Sequence, residues 1–269
     1  MKKGNKRILS SSLSELVTRF SQQNIIAEIE KRYQSAPAKL IPISLIDDNS
    51  FIAKVRLPDE TMDFCASRLK EKGFYNPLVV RTKEDGHYEI ILGRKRLFGA
   101  RRAGMLTLPC AFAEVSDEEV LLMLLADTRD QREANVVEMA LLCHELQSRF
   151  HYNQQTLADV SHQSRCQISN ILRILKLPEE LQEAICLGKL SYGHGRALAS
   201  LSKQDAEILG KRALEENLSV RQIESLAKQQ KGQSEPMGNP VEIAETETEL
   251  VIRFGSREEL EAFRKKKQI

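Results

Sequence analysis

The chain has 269 residues, 41% of them hydrophobic and 29% charged, an ordinary balance for a soluble protein with room for one to three domains. Lys and Arg number 40 against 38 Asp and Glu, a net charge of +2. Any attraction for nucleic acid must therefore come from local basic patches rather than a uniformly basic coat. Trp is absent and aromatics make up 5%, which argues against a large aromatic-lined ligand pocket. The longest apolar run, Val120–Ala126, is too short to span a bilayer, and no apolar stretch follows the basic N-terminus. A cytoplasmic protein without a membrane partner is expected. The cysteines, Cys65, Cys110, Cys143, Cys166 and Cys186, are scattered and form no CxxC pair. Buried reduced thiols are expected, and a zinc site is not.

In chain order, residues 1–38 form a basic tail with Lys2, Lys3, Lys6 and Arg7, then an apolar helical pattern through Leu13, Leu16, Val17 and Phe20. Ser12 and Glu15 have capping-box spacing. Residues 39–115 read as a small α/β domain. Strands are expected at Leu40–Leu45, Leu78–Arg81, Tyr88–Leu92 and Leu108–Ala113, with helices at Glu60–Lys72 and Lys95–Ala103. Residues 116–230 are helical, with apolar spacing over Asp117–Leu125, Val136–Phe150, Gln154–Val160, Arg165–Leu175, Glu179–Leu187, His194–Ala199, Gln204–Glu216 and Val220–Gln230. Residues 231–240 read as a linker. Residues 241–269 read as a β-β-α unit: strands Val241–Ala244 and Glu249–Phe254, then a helix over Ser256–Lys267. A unit this small needs a partner surface, so dimerisation is expected. The fold class is α+β and mostly helical.

Leu157–Leu175 reads as a helix-turn-helix. Ala158 is small where two helices must cross, and Ile168, Ile171, Leu172 and Leu175 form one apolar stripe. The opposite face carries Ser164, Arg165, Gln167, Asn170 and Arg173, side chains that suit base edges and phosphates. Gln155 and Thr156 stand where a first helix meets phosphate. Arg165 is the leading base-contact candidate, because a guanidinium fits guanine O6 and N7. Two positions depart from the usual pattern: His162 sits where a turn glycine is commonest, and Ser161 replaces an apolar residue. The alternative is an ordinary amphipathic helix pair. Downstream, Gly193, His194 and Arg196 lie in a GHGR turn that opens another helix; His194 taken alone would be a packed or capping histidine.

In ILGRKRLFGARRAG, a strand runs into Gly93 and a helix starts with Arg94, Lys95 and Arg96. A glycine before a helix N-terminus lets backbone N–H groups approach an anion, so these four residues make a candidate phosphate site. A solvated basic turn is the alternative. No arrangement of Ser, His, Asp or Cys has spacing that suggests nucleophilic catalysis, and no catalytic residue is assigned.

Residues from about 40 to 230 resemble the ParB family of partition proteins. GRKRLFGARRAG lies where that family has its GERRxRAxxxAG box. QTLADVSHQSRCQISNILRILKLPEELQEAICLGKLSYGHGRAL follows the family's helix-turn-helix almost position by position, and NLSVRQIESL and ELVIRFGSREELEAF also match. The resemblance implies a ParB/sulfiredoxin-like N-terminal domain, an all-α DNA-binding domain and a C-terminal dimerisation unit. It implies a homodimer that binds double-stranded DNA at a palindromic centromere-like site on the nucleoid. It also implies CTP with Mg²⁺ driving closure into a sliding clamp, and a ParA-type ATPase met through the N-terminus.

Carried over by position, the nucleotide residues are Arg56, Gly93, Arg94, Lys95, Arg96 and Asp127, with Asp127 as the metal ligand. Arg94 replaces the family's glutamate and Phe98 an arginine. Lys54 and Ala126 replace polar residues that serve hydrolysis and metal binding, which counts against CTP turnover. A nucleotide-independent repressor or nucleoid-occlusion-type protein is the alternative function.

Overall fold

The structure, a computed structural model, describes residues 38–74, 76–130, 135–233, 242–245 and 250–253. The N-terminal tail and helix and the closing helix over Ser256–Lys267 lie outside the described residues, as does most of the linker. The described residues are a mostly helical α+β protein.

The α/β part contains β1 (Lys39–Pro42), β2 (Ile46–Asp47), α1 (Asp59–Lys72), β3 (Leu78–Thr82), β4 (Tyr88–Leu92), α2 (Arg94–Arg102) and β5 (Thr107–Phe112). Its sheet has the order β1-β5-β3-β4-β2. The strand expected over Leu40–Leu45 breaks in two. Pro42 has no N–H to continue a ladder, so β1 ends there as an edge strand. The chain then makes a 3₁₀ turn over Ile43–Leu45 and re-enters the sheet at its other edge, where β2 runs parallel to β4.

Both sheet faces are covered, which is why LVV in β3 and IIL in β4 do not alternate with polar residues. Val80 and Ile90 pack with Leu97 and Ala100 of α2 and Leu69 of α1. Val79 and Ile91 belong to a second core that continues into the helical part. The connection before α1 supplies Ile52 and Val55 to that second core, each 1% exposed.

The helical part contains α3 (Asp117–Asp130), α4 (Val136–Phe150), α5 (Gln154–Ser161), α6 (Arg165–Arg173), α7 (Glu179–Cys186), α8 (Tyr192–Leu198), α9 (Lys203–Glu215) and α10 (Val220–Gln233). Helix α3 outlasts the expected Leu125, since nothing in ADTRD breaks a helix and Thr128 is buried there. Helix α10 runs on into the start of the stretch read as linker. Asn135, Asn153, Ser164, Ser191 and Ser202 each sit at an N-cap and accept from first-turn N–H groups. Strands β6 (Glu242–Glu245) and β7 (Leu250–Arg253) pair antiparallel, with Ala244 opposite Val251.

An ion-pair chain joins the sheet to the helices. Arg81 of β3 donates to Glu89 and to Asp117 of α3, both at 2.7 Å, and Arg149 of α4 donates to the other Asp117 oxygen at 2.6 Å. Burial opposes ionisation of Asp117, but the two guanidinium partners outweigh it and hold its carboxyl below the usual range. Cys110 and Cys143 are buried, and the loss of water pushes their thiols up to about 11 and about 12. Cys166 departs from the buried-thiol expectation: it is exposed on α6.

Candidate DNA interface and phosphate pocket

Helices α5 and α6 form the helix-turn-helix. Ile168 and Ile171 are buried, and Leu172 and Leu175 are packed against the same core. The two unusual turn residues are accommodated separately. His162 adopts the left-handed region at φ 54°, a conformation for which histidine is among the tolerated residues. Ser161 is fully buried, and its hydroxyl donates to the Leu157 carbonyl at 2.6 Å, so the polar group does not go unpaired.

Arg165, at the first helical position of α6, is exposed, as are Ser164, Gln167 and Arg173; Asn170 is half-buried on the same helix. Ser164 and Gln167 form a reciprocal capping box: the Ser164 N–H donates to Gln167 Oε1 at 2.8 Å, and the Gln167 N–H donates to Ser164 Oγ at 3.2 Å. Both side chains therefore aim the helix. The Gln167 carbonyl serves the cap, and its NH₂ group is not part of that box. On α5, Gln155 is exposed and bonded to Asp159 at 2.9 Å. Thr156 is 6% exposed, far less open than Gln155 beside it.

The GHGR turn is built for packing. A Cβ on Gly193 would stand 3.0 Å from Val220, and one on Gly195 2.8 Å from Ile185 and 2.9 Å from Ile174. The close approach these glycines permit is to neighbouring side chains of the protein. His194 Nδ1 accepts from the Ser191 N–H at 3.0 Å, which makes it a capping residue. Arg196 is exposed and pairs with Glu224 at 2.8 Å.

The second site lies at the start of α2. Gly93 is the N-cap, with φ 100° and no side-chain cap for the first-turn N–H groups. It opens onto a cavity of about 270 Å³, lined by Arg94, Lys95, Arg96, Asp127 and Glu138 among others. Three cations and uncapped helix N–H groups suit an oxyanion. Asp127 can offer one oxygen to a hard cation. Among the described residues, no three potential ligands converge on a point. A magnesium ion held by one carboxylate and a nucleotide's own phosphates would not need them. Ala126 is fully buried and offers no ligand.

Arg56 is not brought to this cavity. Val55 is buried and Leu57 lines the cavity, so the residue between them points away. Arg56 pairs instead with Glu183 of α7 at 2.5 Å, beside a separate cleft of about 950 Å³ that Lys54 also lines.

Two residues have no signal in the local sequence: Asp48, which holds Arg94 from outside the cavity, and Glu138, which lines it. Asp48 receives both Nε and Nη2 of Arg94, each at 2.7 Å. Glu138 reads as an ordinary first-turn acid of α4, yet it is buried and accepts from Thr128 at 2.8 Å. Desolvation pushes its carboxyl above the usual range despite that hydrogen bond. A raised folded-state pKa means this group's contribution to stability is present below the ordinary value and lost as pH rises through the raised one. Glu138→Gln keeps the acceptor for Thr128. The variant is expected to melt above the parent at about pH 8 and to match it near about pH 4. Thermal melts across that range check this, and a melting temperature at or below the parent's at the higher pH contradicts it.

The family model described as the ParB N-terminal domain matches residues 27–128, and that of the ParB HTH domain matches residues 132–232. A probable chromosome-partitioning protein ParB of Pseudomonas putida is 31% identical over 220 residues, covering 80% of this chain and 76% of the relative. The chain belongs to the ParB family. The chromosome-partitioning protein ParB of Caulobacter vibrioides is 30% identical over 239 residues, covering 84% of this chain and 78% of the ParB relative. Among solved structures, a C-terminally truncated ParB from Caulobacter crescentus complexed to the centromeric parS site is 31% identical, with a TM-score of 0.42. That match covers 71% of this chain and 99% of the crystallised one. A ParB from the same organism complexed with CTP-γ-S is 30% identical, with a TM-score of 0.33, over 65% of this chain and 97% of the other. Among the described residues, no helix is long and apolar enough to cross a membrane.

Proposed function

We propose that this chain is a site-specific DNA-binding partition protein of the ParB type. It loads as a homodimer at a palindromic centromere-like site, and its Gly93 pocket takes CTP with Mg²⁺. The observation that carries the reading is the pairing of two surfaces on one framework. The polar edge of α6, with Arg165, Gln167 and Arg173 exposed and Asn170 half-buried beside them, suits the major groove. The cationic cavity at Gly93 suits a triphosphate, and the core beneath β3 and β4 continues into α6. The sequence relatives named as partition proteins support the DNA half, and the Caulobacter crescentus ParB complexes concern both of these ligands in that protein.

In this reading the protein's residues bind and orient the ligand. Gly93 lets the α2 backbone reach the phosphates, Arg94, Lys95 and Arg96 neutralise them, and Asp127 would hold the cation. The cation would draw charge from the phosphate oxygens. Residues 241–269 supply the dimer contact, and the basic N-terminus meets a ParA-type ATPase, with the protein gathered on the nucleoid.

The competing reading is a nucleotide-independent repressor or nucleoid-occlusion-type protein. It is favoured by one fact: Arg56 faces α7 rather than the cavity. Calorimetry with CTP, ATP, GTP and UTP, with and without a palindromic duplex, separates the two. Binding of CTP alone is expected, and no CTP affinity under any condition would leave only the repressor.

A further inference from the structure

Arg94 is the most constrained cation of the pocket. Its side chain is 10% exposed, and its guanidinium lies 5.2 Å from the centre of the Phe98 ring. Nε and Nη2 hold the two oxygens of Asp48 in a fork, and Nη2 also donates to the Val55 carbonyl at 2.8 Å. One edge of the guanidinium is thus committed to the segment that joins β2 to α1. The remaining nitrogen, Nη1, is buried and has no hydrogen-bond partner among the described residues. A buried cationic N–H without an acceptor is unfavourable, and Arg94 lines the cavity at the uncapped start of α2. A phosphate oxygen there would satisfy it.

We propose that Arg94 is a positioning residue that couples phosphate occupancy of the cavity to the seating of residues 48–56. Nη1 donates to the nucleotide's phosphate, while Nε and Nη2 keep their hold on Asp48 and Val55. This rests on the nucleotide reading above and adds what the bound nucleotide does to the fold. The segment is the right one to carry a signal. Asn49 donates to the Ile90 carbonyl beside the cavity at 3.0 Å, Ile52 and Val55 enter the core shared with the helices, and Arg56 pairs with Glu183 on α7. Planar geometry matters here, because only a guanidinium can serve Asp48 with one edge and a phosphate with the other.

Hydrogen exchange of the full chain, with and without saturating CTP and Mg²⁺, reads this directly. The Ile52 and Val55 amides, which donate to Asn49 and Ile52 carbonyls, are the reporters. CTP is expected to slow them about tenfold in the parent. Arg94→Lys is expected to bind CTP about tenfold more weakly by calorimetry. Once saturated, it is expected to show no slowing. Asp48→Asn, which leaves the phosphate side intact, should bind CTP at least as tightly as the parent and also show no slowing. Parent-like slowing in either variant overturns the coupling while leaving CTP binding in place. A parent that binds no CTP overturns the nucleotide reading itself, and the coupling with it.

Discussion

Arg165→Ala is expected to weaken binding to the palindromic site by about 10- to 100-fold, with little loss on unrelated DNA. The side chain leaves the first position of α6 and is exposed, while the Ser164–Gln167 box fixes the direction in which it projects. A bidentate guanidinium–guanine contact is worth roughly 1–3 kcal/mol of discrimination, and about 1.4 kcal/mol is a factor of ten. An exposed residue away from the core changes folding stability by only about 0.5 kcal/mol, so the melting temperature should hold. Titration of site and non-site duplexes at several salt concentrations separates the roles. Loss confined to the site supports base reading. Uniform weakening, with a salt slope reduced by about one, would instead make Arg165 a phosphate contact.

Gly93→Ala is expected to abolish CTP binding and to lower the melting temperature, while leaving the helix-turn-helix able to bind DNA. At φ 100° an L side chain is strained by about 1–3 kcal/mol. The added Cβ would also stand 2.6 Å from Leu78 Cδ2, a side chain with no exposure and little room to move, and 2.9 Å from Arg96 Nη2. Relief therefore has to come from the first turn of α2, the element that presents N–H groups and three cations to the cavity. A loss of about 100-fold or more in CTP affinity is expected, because the phosphate cradle and the backbone strain involve the same atoms. Calorimetry paired with a DNA mobility shift checks it. Parent-like CTP affinity would place the phosphates elsewhere.

The helices were legible because apolar spacing and Ser or Asn caps agree at most of them, as at Val136–Phe150, which matches to the residue. The α/β part was legible less completely. The apolar pattern over Leu40–Leu45 is continuous and predicts one strand, since pattern alone does not register a proline that forces the chain across the sheet. Two-residue β2 is too short for any period. At the DNA face, spacing distinguished outward from inward positions on α6, but Thr156 is a small polar residue that a helix buries as readily as it exposes.

The cavity at Gly93 shows the sharper limit. Gly93 and its three cations are contiguous and could be read from the chain. Asp48, by contrast, lies 46 residues from Arg94, and β2–β4 pairing brings the two together. Glu138 faces the cavity because α4 packs beside α3, which no local pattern reveals. The glycines of GHGR were legible as sites of close approach, but only the fold shows that what approaches is Val220, Ile185 and Ile174.

The most direct test of the account is genome-wide immunoprecipitation of the DNA bound by the protein in its own cells. A dimer that loads at a palindrome and is then released along the duplex by nucleotide gives a narrow peak with broad shoulders, and Arg165→Ala removes both. Sharp peaks at scattered promoters, without shoulders, would contradict the partition reading and leave a repressor.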